Sequence, residues 1–154
     1  MQVKKIFIKN FRNISEQTLE LSNRIKRLKG QNAHGKTNLI EALYLCASGR
    51  SFRTNDYHEM IKLDTENSQV EILYDNNQKI SVSLSKKDKK VIEVDNVKIN
   101  KLGDLFGKFF AVIFSPEDLQ LIKSNPATRR KFMDTELCQI NKIYYDYLRK
   151  YYRV

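Results

Sequence analysis

Several stretches of the chain alternate apolar with polar residues, which is typical of half-buried β-strands. Residues 1–9 form the first, and a partner follows the turn at 11–13. Residues 68–99 repeat the pattern around short turns at 75–78 and 95–96. Tight turns join antiparallel strands, so the pattern predicts an antiparallel meander. The alternating apolar positions are Val3, Ile6, Ile8, Leu19, Leu21, Val70, Ile72, Tyr74, Ile80, Val82 and Leu84.

Two other segments have helical spacing. Leu39, Leu43 and Cys46 predict a helix that runs to about residue 47. Ser124-Asn125-Pro126 is a helix start signal, because Asn caps helices and Pro suits their first turn. The residues after it step by three and four positions and predict one long helix without a stop signal, so we expect the chain to be part of a longer protein. They are Met133, Leu137, Ile140, Tyr144, Tyr147 and Tyr151.

Two further runs are candidate buried strands. Phe109–Phe114 is continuously apolar, as expected of a strand covered on both faces, and the following Ser115-Pro116-Glu117-Asp118 predicts a helix start. Residues 24–29 fit less well, because four of the six are basic and only Ile25 and Leu28 suit a core.

Composition narrows the class of protein. The chain has 154 residues, enough for one domain, and a net charge of +10, which favours nucleic acid as partner and an anionic membrane second. No apolar run is long enough to span a membrane. Cys46 and Cys138 lack metal-site spacing and are interpreted as thiols of a reducing, cytoplasmic compartment.

Residues 30–37 match the phosphate-binding P-loop pattern G-x-x-x-x-G-K-[ST]. In such a loop backbone N–H groups surround the phosphates, the side chain of Lys36 reaches them, and the hydroxyl of Thr37 ligates Mg²⁺. The alternative is a glycine turn that caps a helix. The predicted phosphate-binding residues are Gly30, Gln31, Asn32, Ala33, His34, Gly35, Lys36 and Thr37, followed by Asn38.

Two other functions remain open at this point. Asp104-Leu105-Phe106-Gly107 matches the D-x-x-G element of a GTPase or small-molecule kinase, although Asn141-Lys142 is not followed by the Asp that reads guanine. The Tyr-rich helix would instead suit a non-catalytic interaction module.

Basic clusters are candidate DNA contacts, because Lys and Arg bind the phosphate backbone without reading sequence. Each cluster could equally be a solvated surface. The candidates are Arg50, Arg53, Lys86, Lys87, Lys89, Lys90, Arg129 and Arg130.

Six blocks give the chain a family resemblance. They are 10–13 (Asn-Phe-Arg-Asn), 30–38, 39–44, 48–54 (Ser-Gly-Arg-Ser-Phe-Arg-Thr), 112–119 (Val-Ile-Phe-Ser-Pro-Glu-Asp-Leu) and 124–134 (Ser-Asn-Pro-Ala-Thr-Arg-Arg-Lys-Phe-Met-Asp). In order and spacing these blocks resemble the RecF family of bacterial DNA replication and repair proteins. The resemblance covers essentially the whole chain.

The resemblance implies an α/β fold, an ABC-ATPase-like P-loop NTPase lobe with mixed or antiparallel β-sheets around the P-loop helix. It places this lobe at 1–122 and the start of a helical lobe at 123–154. It also implies ATP and Mg²⁺ as cofactors, with Arg12 and Asn13 near the nucleotide and 30–38 around its phosphates.

For function, the resemblance implies an ATP-dependent homodimer that binds single- and double-stranded DNA at gaps and junctions. It implies cooperation with RecO and RecR in loading the RecA recombinase, and support of the SOS response. The ABC signature and the Walker B acids are not found in these 154 residues, and no catalytic residue is predicted. We therefore expect this chain to bind nucleotide without hydrolysing it, and a full-length parent to be a slow ATPase.

Overall fold

A computed structural model describes residues 2–21, 25–31, 35–75, 77–114 and 125–153. Its main element is an antiparallel six-stranded sheet with the order β2-β1-β3-β4-β5-β6, which confirms the predicted meander. The strands are β1 (Val3–Phe11), β2 (Ile14–Glu20), β3 (Asn67–Tyr74), β4 (Gln78–Ser85), β5 (Val91–Val94) and β6 (Val97–Lys98).

The register brings the apolar residues of the central strands onto one face. Ile72 of β3 lies opposite Ile6 of β1 and Ile80 of β4, and Val70 lies opposite Ile8 in the same way. Because side chains alternate faces along a strand, these pairs form a continuous apolar layer. All five side chains are fully buried, so this layer is the floor of the core.

Helix α1 (Lys36–Ser48) packs on this layer and contacts β1, β3 and β4. Leu39, Ala42 and Leu45 are buried at helical spacing, which confirms the predicted helix. The helix ends at Gly49, whose φ of 67° lies in the left-handed region that favours glycine at a helix end.

The predicted long C-terminal helix is wrong, because it is two helices, α2 (Pro126–Ile140) and α3 (Lys142–Tyr151). Asn141 between them is extended, and its side chain accepts hydrogen bonds from the N–H groups of Ile143 and Tyr144. An Asn side chain can thus satisfy the first donors of a new helix, and the spacing of apolar residues does not register this. The start at Asn125 and Pro126 is confirmed, with Asn125 as the capping residue.

Helix α3 docks onto the short 3₁₀ helix at Leu102–Asp104 and the residues after it. Lys142 forms an ion pair with Asp104 at 2.7 Å. The ring of Tyr145 meets the edge of the Phe106 ring at 5.1 Å between centroids. These contacts attach the helical segment to the end of the meander.

The two other predicted strands do not form. At 109–114 only Phe109 is buried, while Val112 and Phe114 are 77% and 80% exposed. At 25–29 the backbone is irregular and Ile25 is 89% exposed. An apolar run becomes a strand only where another strand pairs with it, and the sheet of the described residues offers neither run a partner. The helix start predicted at 115–118 and the lobe boundary at 122 lie outside the described residues.

Candidate functional site

The P-loop leads directly into α1. Gly35 adopts a φ of 81° and its carbonyl accepts the first hydrogen bond of the helix, from the N–H of Leu39 at 2.9 Å. The ammonium of Lys36 donates to the carbonyls of Gly30 at 2.8 Å and Gln31 at 2.7 Å. These bonds hold the two ends of the loop together, while residues 32–34 lie outside the described part of the chain.

The start of α1 suits an anion. A helix N-terminus presents unpaired N–H groups and the positive end of the helix dipole, and α1 has no acidic side chain in its first turn to neutralise it. Thr37 in this turn is exposed, so its hydroxyl is accessible to a metal ion. Lys36 adds a full positive charge. The hydrogen-bond donors of this junction therefore fit a polyphosphate. The hydroxyl oxygen of Thr37 fits an accompanying Mg²⁺.

Asn13, predicted from the resemblance to lie near the nucleotide, packs against the loop. Its side-chain oxygen accepts a hydrogen bond from the Asn38 amide at 2.7 Å. A Cβ added to Gly35 would lie 3.0 Å from the same oxygen. The backbone angle therefore favours glycine at position 35, and an added Cβ would also crowd the Asn13 side chain.

Arg12 contacts α1 through its ion pair with Glu41. Glu41 was not predicted from the sequence as a site residue. The fully buried Glu41 carboxylate binds the guanidiniums of Arg12, at 2.7 Å, and Arg53, at 3.0 Å. Burial alone raises the pKa of Glu41, but hydrogen bonds from Arg12 and Ser51 and the charges of both arginines outweigh it and hold the pKa below its usual range. The signal in the sequence was a charged residue at position 41, between the core positions 39, 42 and 45 of one helix.

The structure separates the candidate DNA-contacting residues into two groups. Lys90 donates to the carbonyl of Gly49 at 2.5 Å, and burial and the nearby charge of Arg50 lower its pKa. Arg53 is engaged by Glu41 and Asn38. The others have exposed side chains and stay predictions as DNA contacts; they are Arg50, Lys86, Lys87, Lys89, Arg129 and Arg130.

The D-x-x-G element has a structural role, since its Asp104 is bound to Lys142 and the pKa of Asp104 is lowered by that hydrogen bond. Within the described residues, no three His, Cys, Asp or Glu side chains gather as a metal site. No helix in the same part of the chain has the length and apolarity needed to cross a bilayer. Burial raises the pKa of both free thiols, Cys46 and Cys138.

Comparisons with known proteins show which sequences and folds the chain is similar to. Residues 2–106 match the family model described as the RecF/RecN/SMC N terminal domain. The chain is 40% identical over 157 aligned residues to the DNA replication and repair protein RecF of Acetivibrio thermocellus. The alignment includes all of this chain and 42% of that protein, so the chain spans less than half the length of this relative.

Solved structures show the same similarity. A structure of the recombination mediator protein RecF with ATP superposes with a TM-score of 0.92 at 39% identity, over 99% of this chain and 43% of that one. An SMC ATPase structure superposes with a TM-score of 0.66 at 15% identity, over 86% of this chain and 98% of that one. The fold is therefore that of a P-loop ABC-type ATPase head, as predicted.

Proposed function

The chain belongs to the RecF/RecN/SMC N-terminal domain family, in its RecF branch, and we propose that it binds ATP as the P-loop part of a DNA repair protein. The observation that carries the proposal is the junction of the P-loop with α1. There the ammonium of Lys36, the unneutralised helix N-terminus and the Thr37 hydroxyl lie within three consecutive positions of the chain. This set of donors fits a nucleotide polyphosphate.

The proposed roles follow from the chemistry of each group. The Lys36 ammonium exchanges its bonds to the carbonyls of Gly30 and Gln31 for phosphate oxygens, and N–H groups of the loop and the first turn donate to the rest of the phosphate chain. The Thr37 hydroxyl holds a Mg²⁺ that neutralises phosphate charge. Asn13 keeps the loop in place by packing on Gly35.

Hydrolysis needs more charge than this junction supplies. Phosphoryl transfer requires a carboxylate on the Mg²⁺ and a group that orients water, in addition to the P-loop. The Walker B acids and the ABC signature that supply these groups are not found in the 154 residues of the sequence. We therefore expect this chain to bind ATP without steady turnover.

DNA binding and assembly are the remaining parts of the proposal. The net charge of +10 and the exposed lysines of the turn between β4 and β5 support contact with DNA phosphates. By similarity to RecF we propose that the whole protein forms an ATP-dependent homodimer on gapped DNA and acts with RecO and RecR. The named relative is a DNA replication and repair protein.

A calorimetric titration with Mg-ATP tests the nucleotide proposal, with Mg-GTP as competitor. We expect saturable binding of Mg-ATP that is lost in Lys36→Ala. A separate assay of phosphate release should give no signal above background. The matched control is Lys79→Ala, because Lys79 pairs with Glu71 on the sheet away from the loop. Binding that survives Lys36→Ala would refute the proposed site. A preference for GTP would support the GTPase alternative.

A further inference from the structure

The hairpin formed by α2 and α3 has an inner face that packs on the rest of the chain. Tyr145 of α3 meets the Phe106 ring, with 5.1 Å between the ring centroids. Gln139 of α2 is buried, and its side-chain oxygen accepts a hydrogen bond from the N–H of Ala111 at 3.4 Å. The side chains of the inner face therefore have their partners within this chain.

The two helices of the hairpin are also joined to each other. The carboxylate of Asp134 on α2 accepts a hydrogen bond from the hydroxyl of Tyr144 at 2.5 Å. The same carboxylate lies 3.5 Å from the hydroxyl of Tyr152, just after α3. Because these bonds run between α2 and α3, the hairpin is one unit, and its outer face is the side that lies opposite the inner contacts.

This outer face is apolar and uncovered. Ile143, Tyr147 and Tyr151 are spaced by one turn along α3 and are 65%, 66% and 76% exposed. Residues three and four positions apart share one side of a helix, and α2 has such a series as well. Side chains with this much exposure are not covered by any other part of the described chain. The outer face consists of Met133, Leu137, Ile140, Ile143, Tyr147 and Tyr151.

The size of the outer face matches an interface between proteins. A fully exposed aromatic side chain presents about 150–250 Å², so these six large side chains together offer about 700 Å². The largest apolar patch on a typical monomer is about 300–600 Å². A stable protein interface buries about 800 Å² on each partner. The six side chains and the polar residues at their rim are therefore sufficient for one standard interface.

Charges at the rim of the outer face favour one orientation of a second copy. Asp146 and Lys150 are exposed one turn apart at the same edge of α3. The ammonium of Lys150 lies 5.4 Å from the centre of the Tyr147 ring, so this edge borders the apolar stripe. If two α3 helices pack antiparallel, Asp146 of each copy lies on the side of Lys150 of the other. A parallel arrangement would instead bring like charges together.

We propose that a second copy of this chain covers the outer face. The two hairpins pack as a four-helix bundle about a two-fold axis, with their α3 helices antiparallel. Tyr147 lies next to the axis and packs against its counterpart in the second copy. A two-fold contact closes after two copies, so the association stops at a dimer. This dimer goes beyond the proposed function, because it requires no nucleotide, unlike the ATP-dependent homodimer.

Sedimentation equilibrium of the chain without nucleotide tests the inference. We expect the mean mass to rise with concentration from 18.2 kDa to twice that value and no further. Ile143→Glu should raise the Kd of the dimer at least about 100-fold, because it places an unpaired charge in the interface. The matched control is Leu63→Glu, which should leave that Kd unchanged. Leu63 is 80% exposed and lies outside the hairpin.

An exchange of charges tests the orientation of the two copies. Asp146→Lys and Lys150→Asp each place like charges opposite one another across the axis. Each variant alone should therefore dimerise about tenfold more weakly than the unsubstituted chain. An equimolar mixture of the two variants should restore the original Kd, because every contact across the axis then joins opposite charges. A variant that had merely lost its fold would not be rescued in this way.

Four results overturn the inference. One is a chain that stays monomeric at every concentration; if oligo(dT) then quenches its tyrosine fluorescence, the outer face binds single-stranded DNA instead. Another is a dimer that forms only with Mg-ATP, which would support the nucleotide-dependent homodimer. The others are equal Kd values for Ile143→Glu and Leu63→Glu, and a mixture of the two charge variants that dimerises no more tightly than each alone.

Discussion

The guanidinium of Arg12 binds the carboxylate of Glu41 through two parallel hydrogen bonds, Nη2 to Oε1 at 2.7 Å and Nε to Oε2 at 3.1 Å. Arg12 directly follows β1, and Glu41 is the sixth residue of α1. A paired fork of this kind fixes orientation as well as distance. The pair therefore attaches the P-loop helix to the turn between β1 and β2, which also contains Asn13.

Removing one partner of this pair should destabilise the fold strongly. Glu41→Ala leaves Arg12 partly buried without its counter-charge, and the loss of one partner of a buried ion pair costs about 3–5 kcal/mol. We expect a loss of that size in the free energy of unfolding, measured by urea denaturation. The control is Glu71→Ala at a half-buried pair on the sheet, with an expected loss of at most about 1 kcal/mol. Equal losses would contradict the role given to Glu41.

The same pair should make stability depend on acid. Burial acts to raise the pKa of Glu41, but its hydrogen bonds and the two arginines lower it below the ordinary value of 4.5. A carboxylate with a lowered folded-state pKa contributes its full stability above the ordinary value, and that contribution is lost as the pH falls through the folded-state pKa. Below about pH 4.5 the unsubstituted chain should lose stability more steeply than Glu41→Gln. Parallel curves from urea denaturation at each pH would contradict this.

The end of α1 should tolerate no side chain. A Cβ on Gly49 would lie 2.3 Å from Leu102 Cδ1 and 3.1 Å from Ile92 Cδ1, at a φ of 67°. We expect Gly49→Ala to cost about 3 kcal/mol, from left-handed backbone strain plus overpacking. Gly107→Ala is the control, because Gly107 has a similar φ of 82° but no atom within 4 Å of its added Cβ. Its loss should be about 1 kcal/mol from backbone strain alone. Equal thermal shifts in the two variants would exclude the clash.

Local pattern was sufficient for the sheet and for α1. The alternation of Ile6 and Ile8, and of Val70 and Ile72, follows directly from one face packing on the core. The P-loop motif likewise located the start of α1. The local pattern gave the wrong secondary structure where one capping side chain or one distant strand determines it. Asn141 divides a regular apolar pattern into two helices by capping the second one, and Val112 and Phe114 have no strand in the described sheet to pair with.

The candidate site was predicted in part for the same reason. Lys36 and Thr37 could be proposed as site residues from the sequence, because the P-loop motif consists of consecutive residues. The cluster of Arg12, Glu41 and Arg53 was not predicted, because these three residues are far apart in the sequence. They meet only after the turn that follows β1 and the connection that follows α1 fold onto the helix. Lys90 was grouped with its exposed neighbours, although it binds the carbonyl of Gly49.

The lysine-rich turn between β4 and β5 should account for part of any DNA affinity. Changing the exposed Lys86, Lys87 and Lys89 to Gln removes three positive charges that are candidates for binding phosphate. The slope of log K against log salt should become shallower by about 0.9 for each phosphate of duplex DNA that is no longer neutralised. The control changes three other exposed lysines to Gln, namely Lys98, Lys101 and Lys108. If the slope is unchanged by the first set, or changes equally with both, the turn does not bind the DNA backbone.

The central claim is that ATP binds where the P-loop meets α1, and amide chemical shifts test it most directly. The measurement is a ¹⁵N–¹H spectrum of the isotope-labelled chain during titration with Mg-ATP, repeated on Lys36→Ala. We expect the largest shifts at Gly35, Lys36, Thr37 and Asn38, at the start of α1, and their loss in the variant. Shifts that persist in Lys36→Ala, or that centre on the sheet or on α3, would contradict the claim.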